Sequence, residues 1–190
     1  MPAERAADIL EEMAPDAAAD VLEDMPREKA DDLIARMEDK QAAAVRLLLS
    51  YPEDSAGGMI TTDFVIALEH ETSLEAIEYV RQQIDKPDLV YYVYVVDTPD
   101  NQHLQGVVSL RDLLLAGADQ RLSDYMQPGP RTVHPEESAA EAARVMTEYN
   151  LLAMPVIDGS GRMLGLVTAD YALDVLLPKS LKRHVPRIFS

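Results

Sequence analysis

The first fifty residues repeat a short pattern of apolar and polar positions every twelve residues. Each unit places an Asp before two apolar residues: Asp8-Ile9-Leu10, Asp20-Val21-Leu22 and Asp32-Leu33-Ile34. Pro15 and Pro26 interrupt the pattern between units, and proline is tolerated only in the first turn of a helix. The pattern therefore predicts helices of about two turns. Helices this short do not stand alone, so we expect them to stack into a small superhelix of either hand.

The pattern changes after a fourth predicted helix, about Lys40 to Leu49. A segment rich in helix breakers follows, Tyr51-Pro-Glu-Asp-Ser-Ala-Gly-Gly58. Strands and helices then alternate twice in the same order. The first copy predicts strands at Phe64–Ile66, Val90–Val96 and Gly106–Ser109 and helices at Ser73–Gln83 and Leu110–Ala116. The second predicts strands at Thr132–His134, Met154–Asp158 and Gly165–Thr168 and helices at Ala139–Tyr149 and Ala169–Leu177. Gly106 and Gly165 are 59 residues apart, as are Ser109 and Thr168, which indicates an internal duplication.

The chain is strongly acidic, with 34 acidic and 17 basic residues and a formal net charge of -17. Residues 1–56 carry a net charge of -9 and residues 57–177 a net charge of -12. Such a surface repels nucleic acid and attracts cations. An acidic surface that only aids solubility is the alternative, and composition does not separate the two.

Several classes of chemistry are excluded by the sequence. The absence of cysteine removes thiolate catalysis, disulfides and Cys-ligated zinc. The four histidines are dispersed, and neither a phosphate-binding P-loop nor a serine nucleophile motif occurs. The most apolar run, Leu89 to Val96, is far shorter than the ~20 residues of a membrane span. We therefore expect a protein that is not an enzyme, in the cytosol or as the cytosolic part of something larger.

Each α/β copy resembles a CBS domain. The resemblance rests on Met154-Pro155-Val156-Ile157-Asp158 before a turn, and on Gly106-Val107-Val108-Ser109-Leu110-Arg111-Asp112 at the start of a helix. It implies a fold in which an α-helical superhelical repeat domain is followed by an α/β tandem CBS pair, or Bateman module. Together with the acidic repeat and the junction at 51–59, this order resembles the cytosolic region of the MgtE family of magnesium channels.

The resemblance divides the chain into four parts. These are an acidic helical repeat domain at 1–52, a first CBS domain at 53–118, a second at 119–177 and a basic tail at 178–190. The tail holds Lys179, Lys182, Arg183 and Arg187 and no acid. A segment beside anionic lipid, the end of a family member without a pore, and a solvated tail all fit it.

The family implies a homodimeric Mg²⁺ sensor whose acidic faces, bridged by Mg²⁺, close an attached membrane pore. Its metal positions correspond to Asp16 and Asp20 in the helical repeat, the Gly58 carbonyl at the junction and Asp174 in the last helix. Asp16 follows Pro15, so a cap or a charge at a helix N-terminus is the alternative for it. Solvated carboxylates are the alternative for the others.

The family also implies one site for ATP or another adenine nucleotide. Ser109 and Arg111 would contact phosphate, Asp112 the ribose, and Tyr92 the base. Ser109 is also a sound helix N-cap, which is the alternative for this set. In the second copy Tyr171 stands where the motif has Asp, and Asp170 comes one place early, so a second site is not expected.

The partners implied are a second copy of the chain, through the CBS domains, and an attached transmembrane pore domain, with no nucleic acid. We expect a dimer face that includes Leu113, Leu114, Leu173 and Leu176, at the cytosolic face of the cell membrane. Two other functions stay open at this point. One is a stand-alone CBS-pair sensor of adenine nucleotides, and the other is an interaction scaffold, because short acidic helical repeats also resemble those of flagellar switch proteins.

Overall fold

The computed structural model describes residues 3–83 and 90–176, and it begins with the helical domain. Four helices form this domain: α1 (Ala3–Glu12), α2 (Pro15–Glu23), α3 (Arg27–Ile34) and α4 (Asp39–Leu48). Pro15 is the first residue of α2 and Pro26 is the N-cap of α3, so both prolines start helices. The apolar pairs of the repeat supply buried Leu10, Leu22, Leu33 and Ile34 to one shared core. The predicted helical repeat is confirmed.

The first α/β unit supplies three strands of a four-stranded sheet. Its elements are β1 (Val65–Leu68), α5 (Ser73–Gln83), β2 (Tyr92–Val96), β3 (Leu104–Ser109) and α6 (Leu110–Leu115), and the fourth strand, β4 (Gln127–Pro128), comes from the start of the second unit. The strand order is β1-β2-β3-β4, with β1 parallel to β2 and the other pairs antiparallel. Alternate residues of β1 are buried, as a half-buried strand requires. The predicted strand–helix–strand–strand–helix order is therefore present.

The second unit has the same order with a reduced sheet. After β4, its elements are α7 (Ala139–Tyr149), β5 (Ala153–Ile157), β6 (Met163–Thr168) and α8 (Ala169–Leu176). The strand predicted at Thr132–His134 is wrong as an extended strand, because only a single bridge joins Val133 to Val156. Pro130 and Pro135 flank this segment, and proline cannot donate to a strand ladder.

The junction between the helical domain and the α/β units packs into the second unit before the chain enters the first. Ala56, Met59 and Ile60 are buried in the same core as α7 and β5. The Ala56 amide donates to the Glu137 carbonyl at 2.7 Å, and the Ala139 amide donates to the Asp54 carbonyl at 2.9 Å. The helical domain is thus anchored to the second unit.

The two units share a further core that joins their sheets. Tyr94 and Val96 from β2 pack against Ala153, Met163 and Leu166 from the second unit. In the described part of the chain, no helix has the length and apolarity that a membrane crossing requires. The predicted tail at 178–190 lies outside the described residues.

Candidate functional site

A small acidic cleft lies where the helical domain meets the junction. Asp16, Asp20 and Glu23 line one wall, spaced four and three residues apart, which places them on one face of α2. The opposite wall comes from the junction and includes Glu53 and Gly58. The cleft measures about 30 Å³. One water needs about 10–15 Å³ of such space, so a hydrated ion and not a large ligand suits it.

Asp16 connects the two parts of the molecule. It lies in the first turn of α2 and is half-buried. The Thr62 hydroxyl donates a hydrogen bond of 2.7 Å to Asp16 Oδ1, from a residue 46 positions further along the chain. The N-cap position of α2 is Ala14, so Asp16 is not the helix cap, whereas the other alternative, a negative charge at the helix N-terminus, describes its position in the first turn.

Gly58 packs tightly against the rest of the junction. It lies in a 3-10 turn, Gly57–Met59, and its amide donates to Ser55 Oγ at 3.2 Å. A Cβ at this position would lie 2.5 Å from the Pro52 carbonyl oxygen and 2.9 Å from Glu53 Cα. Only glycine therefore fits here, and the close approach places Gly58 and Glu53 in the same wall.

The carboxylates of the cleft interact with one another. Partial burial, followed by the negative charges of Glu53, Asp20 and Asp24, raises the pKa of Glu23. A carboxyl whose pKa is raised by neighbouring carboxylates is stabilised by a cation among them. Within the described residues no group of three or more His, Asp or Glu side chains is close enough to hold a metal ion directly. The arrangement suits a cation that keeps part of its water shell.

Glu23 and Glu53 were missed by the sequence analysis. The spacing from Asp16 through Asp20 to Glu23 contained the signal for the first, because these positions share one helix face. Glu53 carried no such signal, since a non-local contact brings it to the cleft. The structure places Asp16, Asp20 and Gly58 in one cleft. Asp174 belongs to α8, but its side chain lies outside the described residues.

The predicted nucleotide residues gather at the start of α6. Ser109 is the N-cap: its hydroxyl accepts from the Asp112 amide at 3.0 Å and donates to Asp112 Oδ2 at 2.7 Å. Tyr92 is the register partner of Ser109 in the β2–β3 ladder. Arg111 is exposed in the first turn of α6. The four residues are therefore neighbours, and two of them already form the helix cap.

A second cleft, also about 30 Å³, lies between the two units. Phe64, Tyr92 and Tyr94 from the first unit and Ala153 and Thr168 from the second are among its lining residues. Tyr94 is buried, and this burial raises the pKa of its hydroxyl. Tyr92 therefore lies beside Ser109 in the β2–β3 ladder and also lines the aromatic cleft between the units.

The predicted dimer face is partly corrected by the structure. Leu114 on α6 is 65% exposed and Leu173 on α8 is 57% exposed. Leu113 was expected to be exposed and is fully buried, because it packs into the core of the first unit. The Leu176 side chain lies outside the described residues. An apolar surface thus remains on α6 and α8, without Leu113.

Family profiles match nearly the whole chain. The profile described as the MgtE intracellular N domain matches residues 1–54. The CBS domain profile matches twice, at residues 56–119 and 122–178. Among curated proteins, the magnesium transporter MgtE of Thermus thermophilus is 37% identical over 140 residues, which is 74% of this chain and 31% of that protein. The chain spans about a third of the length of the curated magnesium transporters it matches.

Solved structures of similar proteins agree with the family profiles. A crystal structure of the soluble part of a magnesium transporter superposes with a TM-score of 0.84 at 34% identity, covering 92% of this chain and 68% of that one. A crystal structure of the cytosolic domain of the Mg²⁺ channel MgtE in complex with ATP superposes with a TM-score of 0.69 at 30% identity, covering 92% of this chain and 81% of that one. The helical domain and the α/β pair therefore occur together in these proteins.

Proposed function

The chain belongs to the MgtE family of magnesium transporters, and we propose that it is a cytosolic regulatory module in which Mg²⁺ binds between the helical domain and the junction and favours a closed state. The observation that carries this proposal is the acidic cleft. Residues of α2 and residues of the junction, far apart in the sequence, line it together. A ligand in this cleft contacts both parts at once, so its binding is linked to their closure.

The charges of the two parts make the closed state depend on cations. Residues 1–56 carry a net charge of -9 and residues 57–177 a net charge of -12, so the two parts repel each other. Burial, followed by the like charges of Glu53, Asp20 and Asp24, raises the pKa of Glu23, and the second of these causes supports a repulsion inside the cleft. A divalent ion between the parts removes much of that repulsion. Its concentration then sets the balance between closed and open forms.

The donor set of the cleft fits Mg²⁺. Mg²⁺ prefers oxygen ligands and keeps several waters, so one or two carboxylates are sufficient protein ligands. We propose Asp16, Asp20 and the Gly58 carbonyl as ligands, with Asp174 completing the site as the family implies. Glu23 and Glu53 add negative charge beside them. When bound, Mg²⁺ supplies the positive charge that holds the two walls together.

The experiment compares magnesium with sodium at equal ionic strength. A ligand that binds only the closed form stabilises it by about 1.4 kcal/mol at ten times its Kd. We expect millimolar MgCl₂ to raise the melting temperature and to reduce the small-angle-scattering radius, and NaCl to do much less. Screening by monovalent salt acts on all charge pairs without bridging any.

A pair of double variants separates the cleft from the rest of the acidic surface. Asp16→Ala with Asp20→Ala should reduce the magnesium effect while leaving the chain folded. Asp8→Ala with Asp31→Ala removes the same charge from exposed positions outside the cleft and should respond like the parent. If NaCl reproduces the compaction, or both double variants respond alike, the cleft is not the sensor.

We further propose a homodimer through the CBS domains and an attached transmembrane pore domain, which would place the module at the cytosolic face of the membrane. The support for the dimer is the exposed apolar surface of Leu114 and Leu173. Light scattering at tens of micromolar should give twice the chain mass in the presence of Mg²⁺. Leu114→Glu should shift this mass toward the monomer, whereas a monomeric parent would contradict the proposal.

A second candidate function, binding of an adenine nucleotide, is favoured by the similarity to an ATP complex of an MgtE cytosolic domain. Ser109, Arg111, Asp112 and Tyr92 are the proposed contacts, all at the start of α6 or in the adjoining strand. The proposed function is regulatory binding and not catalysis. The two candidates are compatible, since the nucleotide residues and the acidic cleft occupy different parts of the molecule.

A further inference from the structure

One hydrogen bond joins the helical domain to the entrance of the first CBS unit at the acidic cleft. The Thr62 hydroxyl donates to Asp16 Oδ1 at 2.7 Å, and both side chains are half-buried. We propose that Thr62 is a positioning residue of the cation site: it holds the Asp16 carboxylate against the junction before any ion binds. This inference rests on the proposed function and adds to it a residue that is not itself a ligand.

The backbone immediately before Thr62 is held in place, which is what a positioning residue requires. The Thr61 amide donates to the Leu166 carbonyl at 2.8 Å, and the Leu166 amide donates to the Thr61 carbonyl at 2.9 Å. This bridge attaches the segment to β6 of the second unit. Thr62 thus follows directly on a residue bridged to β6, which fixes the direction from which its hydroxyl reaches Asp16.

Gly165 makes this attachment possible. A Cβ at Gly165 would lie 2.4 Å from Ile60 Cγ2 and 2.5 Å from the Thr61 carbonyl oxygen, so a side chain here would displace the segment. Ile60, which belongs to the same segment, is itself buried in the core of the second unit. The position of the Thr62 hydroxyl is therefore set by β6 and by the packing of Ile60.

The chemistry of the carboxylate leaves room for a cation beside this bond. An ionised Asp offers about four acceptor sites on its two oxygens. Thr62 occupies one of them, and the remaining sites stay available to a hydrated ion in the cleft that Asp16 lines. Groups that orient metal ligands in this way commonly change metal affinity by about 10- to 100-fold when they are removed. An exposed, partly hydrated site belongs at the low end of that range.

The experiment uses the full chain and titrates MgCl₂ alone by calorimetry. Thr62→Val keeps the shape of the side chain and removes the donor, and we expect about tenfold weaker binding. Thr62→Ser keeps the hydroxyl and should bind within about twofold of the parent. Thr147→Val is the matched control, because its hydroxyl bonds only along its own helix, to the Ala143 carbonyl. It should bind like the parent.

A second comparison tests whether Thr62 acts through Asp16. In an Asp16→Ala background, Thr62→Val should weaken magnesium binding no further. If the parent binds magnesium and the Thr62→Val variant binds it equally well, this inference alone is overturned. An additive loss in the double variant, or a Thr62→Ser variant as weak as Thr62→Val, would also overturn it. A parent chain that does not bind magnesium would overturn the proposed function and this inference with it.

Discussion

The two CBS units descend from one repeat, yet they hold different parts of the molecule. The first unit supplies three strands of the four-stranded sheet and the Ser109–Asp112 cap at the start of α6. The second supplies the short fourth strand and a two-stranded sheet of its own, and the position of that Asp is occupied by Tyr171. The second unit also receives the junction: Ala56, Met59 and Ile60 lie in its core, and Thr61 pairs with β6.

The two copies therefore differ in the features that they support. The first copy retains the polar residues of the motif, Ser109, Arg111 and Asp112. The second copy has become the platform on which the helical domain is mounted, and α8 follows directly from the strand that holds the junction. A movement of the helical domain would therefore reach α8 through the second unit.

The largest difference is expected at the duplicated glycines, Gly165 and Gly106. A Cβ at Gly165 would meet the Thr61 carbonyl oxygen at 2.5 Å, within a bridge that anchors the junction. A Cβ at Gly106 would meet the flexible Met126 side chain, with Sδ at 2.7 Å, and the Gln127 carbonyl oxygen at 2.9 Å, so its backbone contact is 0.4 Å less close than the one at Gly165. We expect Gly165→Ala to lower the free energy of unfolding by about 3 kcal/mol and Gly106→Ala by about 1–2 kcal/mol, measured by urea unfolding.

Gly117→Ala is the control for the alanine substitution itself. Nothing lies within 4 Å of a Cβ at that position. Its unfolding free energy should stay the same or rise by about 0.5 kcal/mol, because the unfolded chain loses freedom. Equal losses at Gly165 and Gly106 would show that the junction is held no more tightly than an ordinary strand neighbour.

The parts that the sequence predicted correctly are those with local signals. Helices α5 and α7 were predicted with their observed bounds, because a polar start and a periodic apolar face define each of them. The predictions that were wrong concern features set by contacts between residues far apart in the sequence. The Thr132–His134 strand is a single bridge, and Leu113 is buried because α6 turns that face onto the sheet. Thr62 and Glu53 had no local signal, since each acquires its role from residues far along the chain.

The next largest difference is expected in nucleotide affinity. Arg111 is exposed and lies in the intact motif of the first copy, whereas Asp170 is exposed and lies in the altered motif of the second. Loss of a hydrogen bond to a charged group costs about 1.5–3 kcal/mol. Arg111→Ala should therefore weaken ATP binding by about tenfold or more in calorimetry, and Asp170→Ala by less than twofold. Asp112→Ala should resemble Arg111→Ala, although it also removes part of the helix cap. Equal losses at Arg111 and Asp170 would mean that both copies bind the ligand.

The smallest difference is expected at the two turns that follow the equivalent strands β2 and β5. The hydrogen bond from the His103 side chain is the main reason why the pKa of Asp97 lies below its ordinary value of 3.8. In the second copy the Ser160 hydroxyl is the main cause of the lowered pKa of Asp158. Asp97 Oδ2 and His103 Nδ1 are 2.8 Å apart, and Ser160 Oγ donates to Asp158 Oδ1 at 2.6 Å.

A carboxyl whose pKa is lowered by folding stabilises the folded state above its ordinary pKa, and this contribution is lost as the pH falls through the lowered value. His103→Ala should raise the pKa of Asp97 toward 3.8 and leave Asp158 unchanged. Ser160→Ala should raise the pKa of Asp158 and leave Asp97 unchanged. Neither pKa should return fully to its ordinary value, because the amides of residues 98 and 103 still donate to Asp97 Oδ1 and those of residues 160 and 162 to Asp158 Oδ1. Carboxyl chemical shifts followed by NMR from pH 6 to pH 2 would measure both values. The backbone bridge between His103 and Arg162 joins the two turns. If either variant shifts both carboxyls together, this bridge couples the turns and the copies do not titrate independently.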